Sequence, residues 1–320
     1  MRLYNYEKRD TSGGFITPEY DEGECVIALG FFDGVHLGHR RLLSEARERA
    51  DELGFSLGVF TFSSEGGLKA EVPRLQSTSD RIKLFEGLEV DFAVVADFGS
   101  VADLSPDAFV KEVLVGELRA RVCVAGYNFR FGKSAAGDAQ MLNKLVREVG
   151  CESITVGEVT DGNKCVSASV IREMIAEGRM RDAARLLTLP YSVSAEAVHG
   201  RGFGRVLGFP TVNTELDTAL VIPKRGVYRT GVLIDGGLYT ALTNVGTCPT
   251  FGERSVHLET YILGFNGDVY GDSIRIYFLD YLRDEMSFDG AESLKMQIKD
   301  DIYRVLEEIG EVTWQEIGLS

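Results

Sequence analysis

No apolar run in these 320 residues approaches the length that crosses a bilayer as a helix, so no membrane span is expected. The opening MRLYNYEKRD has no apolar core either, and a secretory signal is not expected there. Cysteine is sparse: Cys25, Cys123, Cys151, Cys165 and Cys248 form no Cys-x-x-Cys pair and leave an odd count. They read as reduced thiols of a cytoplasmic protein, not as zinc ligands or a disulfide framework. Basic residues are outnumbered 34 to 49, for a net charge of −15, which argues against a nucleic-acid surface. Nucleotide binding stays open, because one phosphate site needs only local donors. No repeat or low-complexity segment occurs, and no Gly-Lys-Ser/Thr follows a glycine-rich stretch, so a Walker loop is excluded. Histidine is scarce as well, and two of the four lie in one tetrapeptide, HLGH.

What is present has the composition of an ordinary globular protein, 44% hydrophobic and 26% charged, long enough for two domains. The chain is organised around Val26 to Leu43. Cys25 to Leu29 is an apolar run suited to a buried strand. Gly30 and Gly34 punctuate a short loop, His36 and His39 flank Gly38, and from Arg40 a helical pattern runs to Gly54. A strand, a glycine loop and a helix N-terminus in succession make a phosphate site, with backbone N–H groups aimed at the anion. Two imidazoles beside it can donate hydrogen bonds to phosphate oxygens as charge develops. A lone glycine loop is more often a plain turn. The concentration of histidine here favours function.

The first half then alternates. Strands are expected at Phe55–Phe62, Phe92–Ala96, Arg121–Ala125 and Ser153–Val156. Helices are expected at Asp80–Leu88, from Ser105-Pro106 to Leu118, and over Asp138–Val149. This βα alternation predicts a parallel sheet covered by helices, with ligands at the carboxyl ends of the strands. Asn128 and Arg130 follow such a strand end. Ser167 and Arg172 sit where a serine-rich segment enters a helix; the serine could simply cap it, and the arginine could hold a triphosphate or be a solvated charge.

Near residue 187 the pattern changes to short strands separated by glycine turns, which predicts a small antiparallel barrel closed by a helix over Ala291–Ile309. The domains are expected at 1–186 and 187–320. Between the first barrel strands, HGRGFGRVLGFPTVN places Gly202, Gly204 and Gly208 in a tight loop. Thr211 and Asn213, two residues apart, point the same way if extended, and their oxygens suit a magnesium ion shared with ATP phosphates. Glu259 is an acidic residue inside a strand-like segment, either solvent-facing or placed for chemistry as a general base.

GFFDGVHLGH matches the HxGH pattern of the nucleotidyltransferase superfamily at Gly30, Phe32, Asp33, Gly34, His36, Gly38 and His39. Followed by GFPTVN, RGVY, NVGTCPT, HLETYILGF and DVYGDSIRIYFLDYLRDEMSF, it resembles the bacterial bifunctional riboflavin kinase/FMN adenylyltransferases, or FAD synthetases, over about Ile27 to Ile309. The resemblance implies an α/β Rossmann-like nucleotidyltransferase domain followed by a riboflavin kinase barrel. It implies riboflavin, FMN and ATP as substrates, FAD as product, Mg²⁺ as cofactor, and no obligate protein partner. It also implies Gly30, Asp33, Gly34, His36, His39, Asn128, Ser167 and Arg172 at an adenylyl-transfer site. At the kinase site it implies Gly202, Gly204, Gly208, Thr211 and Asn213 on magnesium-ATP and Glu259 as base, with Arg283 near flavin; Phe62 is likewise implied as a flavin contact.

Two departures fall in the first half. The family's Thr-Phe-x-Pro-His-Pro reads Thr61-Phe-Ser-Ser-Glu-Gly-Gly67, and the serine-rich run reads SASVIR. A kinase with a weakened adenylyltransferase half is therefore a second reading. A non-catalytic flavin or nucleotide sensor is a third, although a sensor needs no base such as Glu259.

Overall fold

A computed structural model describes residues 1–7, 20–63, 72–198, 203–247 and 256–318. The chain divides into two compact units, Met1–Val72 with Ser77–Ser167, and Pro73–Gln76 with Ala168–Ser320.

The first unit holds a six-stranded sheet of β1 (Arg2–Tyr6), β2 (Cys25–Leu29), β3 (Ser56–Phe62), β4 (Phe92–Ala96), β5 (Ala120–Gly126) and β6 (Glu152–Val156). The strands lie in the order β1-β4-β3-β2-β5-β6, every pair parallel. Strands β2 and β4 are buried along their whole length because both sheet faces are covered. Ile27, Leu29, Val94 and Cys123 belong to one core cluster, while Val26, Ala28, Ala93 and Val124 belong to the other. Helix α1 (Leu37–Leu53) packs Leu42, Leu43, Ala46 and Ala50 into the second cluster, and Gly54 in left-handed conformation ends it. Helix α2 (Thr78–Glu86) is capped by Ser77, and α3 (Ala139–Glu148) by Asp138. Ser105 caps the turn Pro106–Ala108, as its sequence predicts, but the backbone then widens to π geometry over Phe109–Glu117. Strand β1 lies outside the strands expected from sequence: it is a short edge strand with only Tyr4 and Tyr6 buried.

The second unit begins with α4 (Ala168–Ala176) and α5 (Met180–Leu187). Its barrel comprises β7 (Ser192–Val198), β8 (Val212–Glu215), β9 (Gly226–Ile234), β10 (Gly237–Thr247), β11 (Val256–Ile262) and β12 (Ser273–Arg283). They close antiparallel in the order β7-β8-β11-β10-β9-β12. Inside, Thr230, Thr243 and Thr260 form a hydroxyl chain with spacings of 2.7 and 3.0 Å. Helix α6 (Ala291–Tyr303) follows, its last turns widening over Arg304–Ile309. The glycine-rich stretch is not all loop: Phe203–Leu207 makes a short helix.

Helix α5 packs on β12, burying Met180, Ala183, Leu186 and Leu187, and Arg181 pairs with Asp280. The Lys224 amide also donates to the Ile175 carbonyl at 3.2 Å. A fragment starting at Ala168 should therefore melt more than about 5 °C above one starting at Leu187, given the apolar surface that the shorter one exposes. Calorimetry on both fragments tests this, and equal midpoints would show that the two helices add nothing to the barrel.

Candidate active sites

In the first unit the site grows from adjacent strand ends. Leu29 of β2 pairs with Ala125 of β5, so the loops leaving Gly30 and Gly126 start side by side. The chain from Gly30 makes a tight turn, held where Gly30 N–H donates to Phe60 O at 3.2 Å and Thr61 Oγ1 donates to Phe31 O at 3.0 Å. Within it Phe32 takes φ 58°, Gly34 φ 82° and Val35 φ 39°. Only glycine adopts such angles freely, so two strained residues flank Gly34, as is common at functional turns.

This turn delivers His36 to the N-cap position of α1, whose first helical residue is Leu37 and not Arg40. His39 falls in the first helical turn, and the two imidazoles stack at 3.7 Å between centroids, 19° from parallel. A side chain at Gly38 would begin 3.2 Å from the His36 ring, so the glycine between the histidines leaves room for the stack. Phe32 meets His39 edge-on at 5.3 Å. Burial, reinforced by His36 and the charge of Arg81, holds the His39 pKa well below 6.5. His39 is thus a neutral N–H donor at neutral pH, set at a helix N-terminus that already favours anions.

The other expected residues are distributed around this centre. Asp33 and Gly34 are buried in the turn. Asn128 is exposed just beyond the β5 end. Ser167 follows Val166, whose carbonyl oxygen is 3.9 Å from where a Gly38 side chain would begin. Phe62 ends β3, edge-on to Phe60 and Phe98 at 5.7 Å each. Arg172 lies on α4, in the second unit. Of the Thr61–Gly67 segment, residues from 64 onward lie outside the described residues.

Arg81 is a residue that the sequence motifs miss. It is fully buried, lies 4.6 Å over the Phe31 ring and donates to Phe62 O. The available signal is its position four residues before Phe85, on the same helix face.

In the second unit, strand register builds the site. Asn213 of β8 pairs with Glu259 of β11, which pairs with Asn244 of β10; Asn244 pairs with Val227 of β9, and Val227 with Arg283 of β12. Directly opposed residues share a face, so this row runs across the outer wall of the barrel. Glu259, Arg283 and Thr211 line one cavity of about 320 Å³, together with Asn244 and with Leu294 and Ile298 of α6. Asn213 is not among its lining residues but stands beside Glu259 in register. Thr211 also lines a second cavity of about 320 Å³, formed with Phe265, Asn266 and Tyr270. A Cβ at Gly204 would lie 2.4 Å from the Phe209 carbonyl oxygen and 3.2 Å from Thr211 Oγ1, so the backbone needs glycine there. Gly208 has φ 87°. Gly202 and Cys248 lie outside the described residues. Among those described, no group of three or more His, Cys, Asp or Glu could hold a metal.

Two family models match the chain, FAD synthetase over residues 19–170 and riboflavin kinase over 187–309. The bifunctional riboflavin kinase/FMN adenylyltransferase of Bacillus subtilis is 33% identical over 291 residues, 88% of this chain and 91% of that protein. The Escherichia coli K12 protein of the same name is 31% identical over 283 residues, 87% and 90% of the two chains. Among solved structures, one from Streptococcus pneumoniae described as a macrolide-efflux protein superposes with a TM-score of 0.82 at 29% identity, covering 90% of this chain and 95% of that one. Among the described residues here, no helix is long and apolar enough to cross a membrane.

The neutral His39 has a consequence for stability. Its folded pKa is depressed, so below about pH 6.5 the unfolded chain takes up a proton that the folded one refuses. Stability is then fully present above that pH and falls on acidification. His39→Gln should reduce the loss in urea midpoint between pH 7.5 and 5.5, followed by circular dichroism. An unchanged pH slope would mean that His39 is protonated in the fold.

Proposed function

Because the chain belongs to the family of bifunctional riboflavin kinase/FMN adenylyltransferases, we propose that it makes FMN from riboflavin and ATP, and then FAD from FMN and a second ATP. We assign adenylyl transfer to residues 1–186 and the kinase to 187–320. The observation that carries the kinase reading is that Thr211 lines two cavities, one of them also walled by Glu259. Two substrates held in cavities that share a wall residue can present a hydroxyl and a γ-phosphate to each other beside it. The Glu259 carboxylate accepts the ribityl hydroxyl proton as the oxygen bonds to the γ-phosphorus, and ADP leaves. The apolar cavity beside it, with Leu294 and Ile298, takes the flavin ring.

Magnesium fits the donor set, because Thr211 and Asn213 offer neutral oxygens on the face that carries Glu259, and Mg²⁺ takes its remaining ligands from phosphates and water. When bound, it supplies neutralising charge at the transferring phosphate. Gly204 and Gly208 let the backbone approach the nucleotide closely.

For the second reaction, an FMN phosphate oxygen attacks the α-phosphorus of ATP and pyrophosphate leaves. His36 and His39 donate hydrogen bonds at the N-terminus of α1, and backbone N–H groups around Gly34 and in the first turn of α1 add to them, while Gly30 leaves room for the phosphates. Asn128 and Ser167 orient the nucleotide, Asp33 braces the turn, Arg172 holds the triphosphate tail and Phe62 meets the flavin. Cys25, Cys123, Cys151 and Cys165 are free thiols, which suits a reducing cytoplasm.

Glu259→Gln should lower FMN formation by roughly a hundredfold to ten-thousandfold while supplied FMN is still converted to FAD. Kinase activity within a few-fold of wild type would remove Glu259 from the mechanism. His36→Ala or His39→Ala should lower FAD and pyrophosphate release by about a hundredfold or more and leave FMN formation intact. Wild type that makes FMN but no FAD above a no-enzyme blank would replace the bifunctional reading with that of a kinase alone.

A further inference from the structure

Helix α6 is anchored over only part of its length. Val305 in its widened last turns is fully buried in a cluster with Val227, Leu242 and Leu282, and Ile302 and Ile309 pack against the same group. Arg304 Nη1 adds a bond to Leu282 O at 3.0 Å. Within Ala291–Tyr303, by contrast, the buried residue is a carboxylate, Asp301. Leu294 and Ile298, two turns and one turn nearer the N-terminus, are only half-buried and line the cavity that Glu259 also lines. The front of the helix thus faces open space, while its back is packed.

The boundary between these two parts is an ion pair. Arg283 Nε lies 3.1 and 3.0 Å from the two Asp301 oxygens, and Nη2 lies 2.8 Å from Oδ2. Gln297 Nε2 donates to the same carboxylate at 3.1 Å. Arg283 Nη1 donates to Asp284 O at 3.1 Å. The forked edge of the guanidinium is therefore occupied by protein. A bidentate arginine–carboxylate pair fixes direction as well as distance. Arg283 is also the end of β12, in register with Val227, so the pair ties α6 to the row of wall residues that contains Glu259.

We infer that Asp301 is a positioning residue for flavin: through Arg283 it sets how far the Leu294–Ile298 face of α6 stands from the barrel wall, and so the width of the slot that grips the isoalloxazine ring. Arg283 acts there as the receiver of that carboxylate, and flavin completes the apolar packing that the front of the helix lacks. The inference deepens the kinase reading and rests on it.

The full-length chain with Asp301→Asn tests it, with Arg283→Lys, their double variant and Leu294→Ala alongside. Riboflavin Kd is read from flavin fluorescence, and kcat and both KM values from FMN formation. Loss of a charge-assisted, partly buried bond should raise riboflavin Kd and KM by about tenfold or more in Asp301→Asn. ATP KM and kcat should stay within a few-fold. Arg283→Lys should give the same split, and the double variant should be no worse than the worse single one, because one interaction is lost. Leu294→Ala should raise riboflavin KM without touching the ion pair, which keeps the test alive if Asp301→Asn does not fold. Unchanged riboflavin Kd in the folded Asp301→Asn or Arg283→Lys variant would overturn the inference. So would a parallel fall in kcat and rise in both KM values, which marks a merely structural pair. Wild type that binds riboflavin but makes no FMN would defeat the kinase reading, while the Kd comparison would still decide the role of Asp301.

Discussion

The candidate kinase site depends on the register between Gly237–Thr247 and Val256–Ile262. Side chains alternate along a strand, so a slip of one residue would carry Glu259 into the barrel and turn Thr260 out to the cavity. The register is held from within. Thr260 bonds to Thr243 and Thr243 to Thr230, while Leu258 and Ile262 fill the interior. A hydroxyl chain of this kind is satisfied only when the strands are in step, so the same bonds that close the core also aim the carboxylate. Gly204 fixes the other end, because its missing side chain is what lets Phe209 and Thr211 come up against it.

The first unit solves its problem by strand order instead. Setting β2 beside β5 puts two loops at neighbouring carboxyl ends, and the strained turn between Gly30 and His36 then fixes where the imidazoles begin. Bonds from Thr61 and to Phe60 hold that turn to β3, so the sheet meets the cost of the unfavourable φ angles of Phe32 and Val35.

Much of this is legible in the sequence because it is periodic. The buried runs of β2 and β4, the Ser105-Pro106 start and the apolar stripe of α6 all follow from local pattern, and HLGH stands out through the scarcity of histidine. What escapes is set by partners distant in sequence. Strand β1 pairs with β4 across some ninety residues, and nothing in RLYNY announces that. The start of α1 at Leu37 follows from the geometry of the preceding turn. Arg81 and Asp301 escape because charged residues usually face solvent, yet each lies on the apolar face of its helix. A charge within an apolar stripe is the signal, and each one is buried beside a candidate site.

Both sites must hold polyanions on a protein of net charge −15. Distant charge matters little, because at physiological salt it is screened beyond about 8 Å. In the first unit the favourable field is built in, from the N-terminus of α1, two imidazoles and the buried Arg81. The kinase wall is different. Among the described residues lining its cavity are Glu259, Glu285 and Asp301, and the one cation, Arg283, is already paired. Such a wall suits a neutral ring and hydroxyl, as the flavin assigned to this cavity in the proposal offers. Among the described residues, then, the two halves differ in kind: the first sets buried positive charge beside its candidate site, and the second gives its cavity wall an acidic balance.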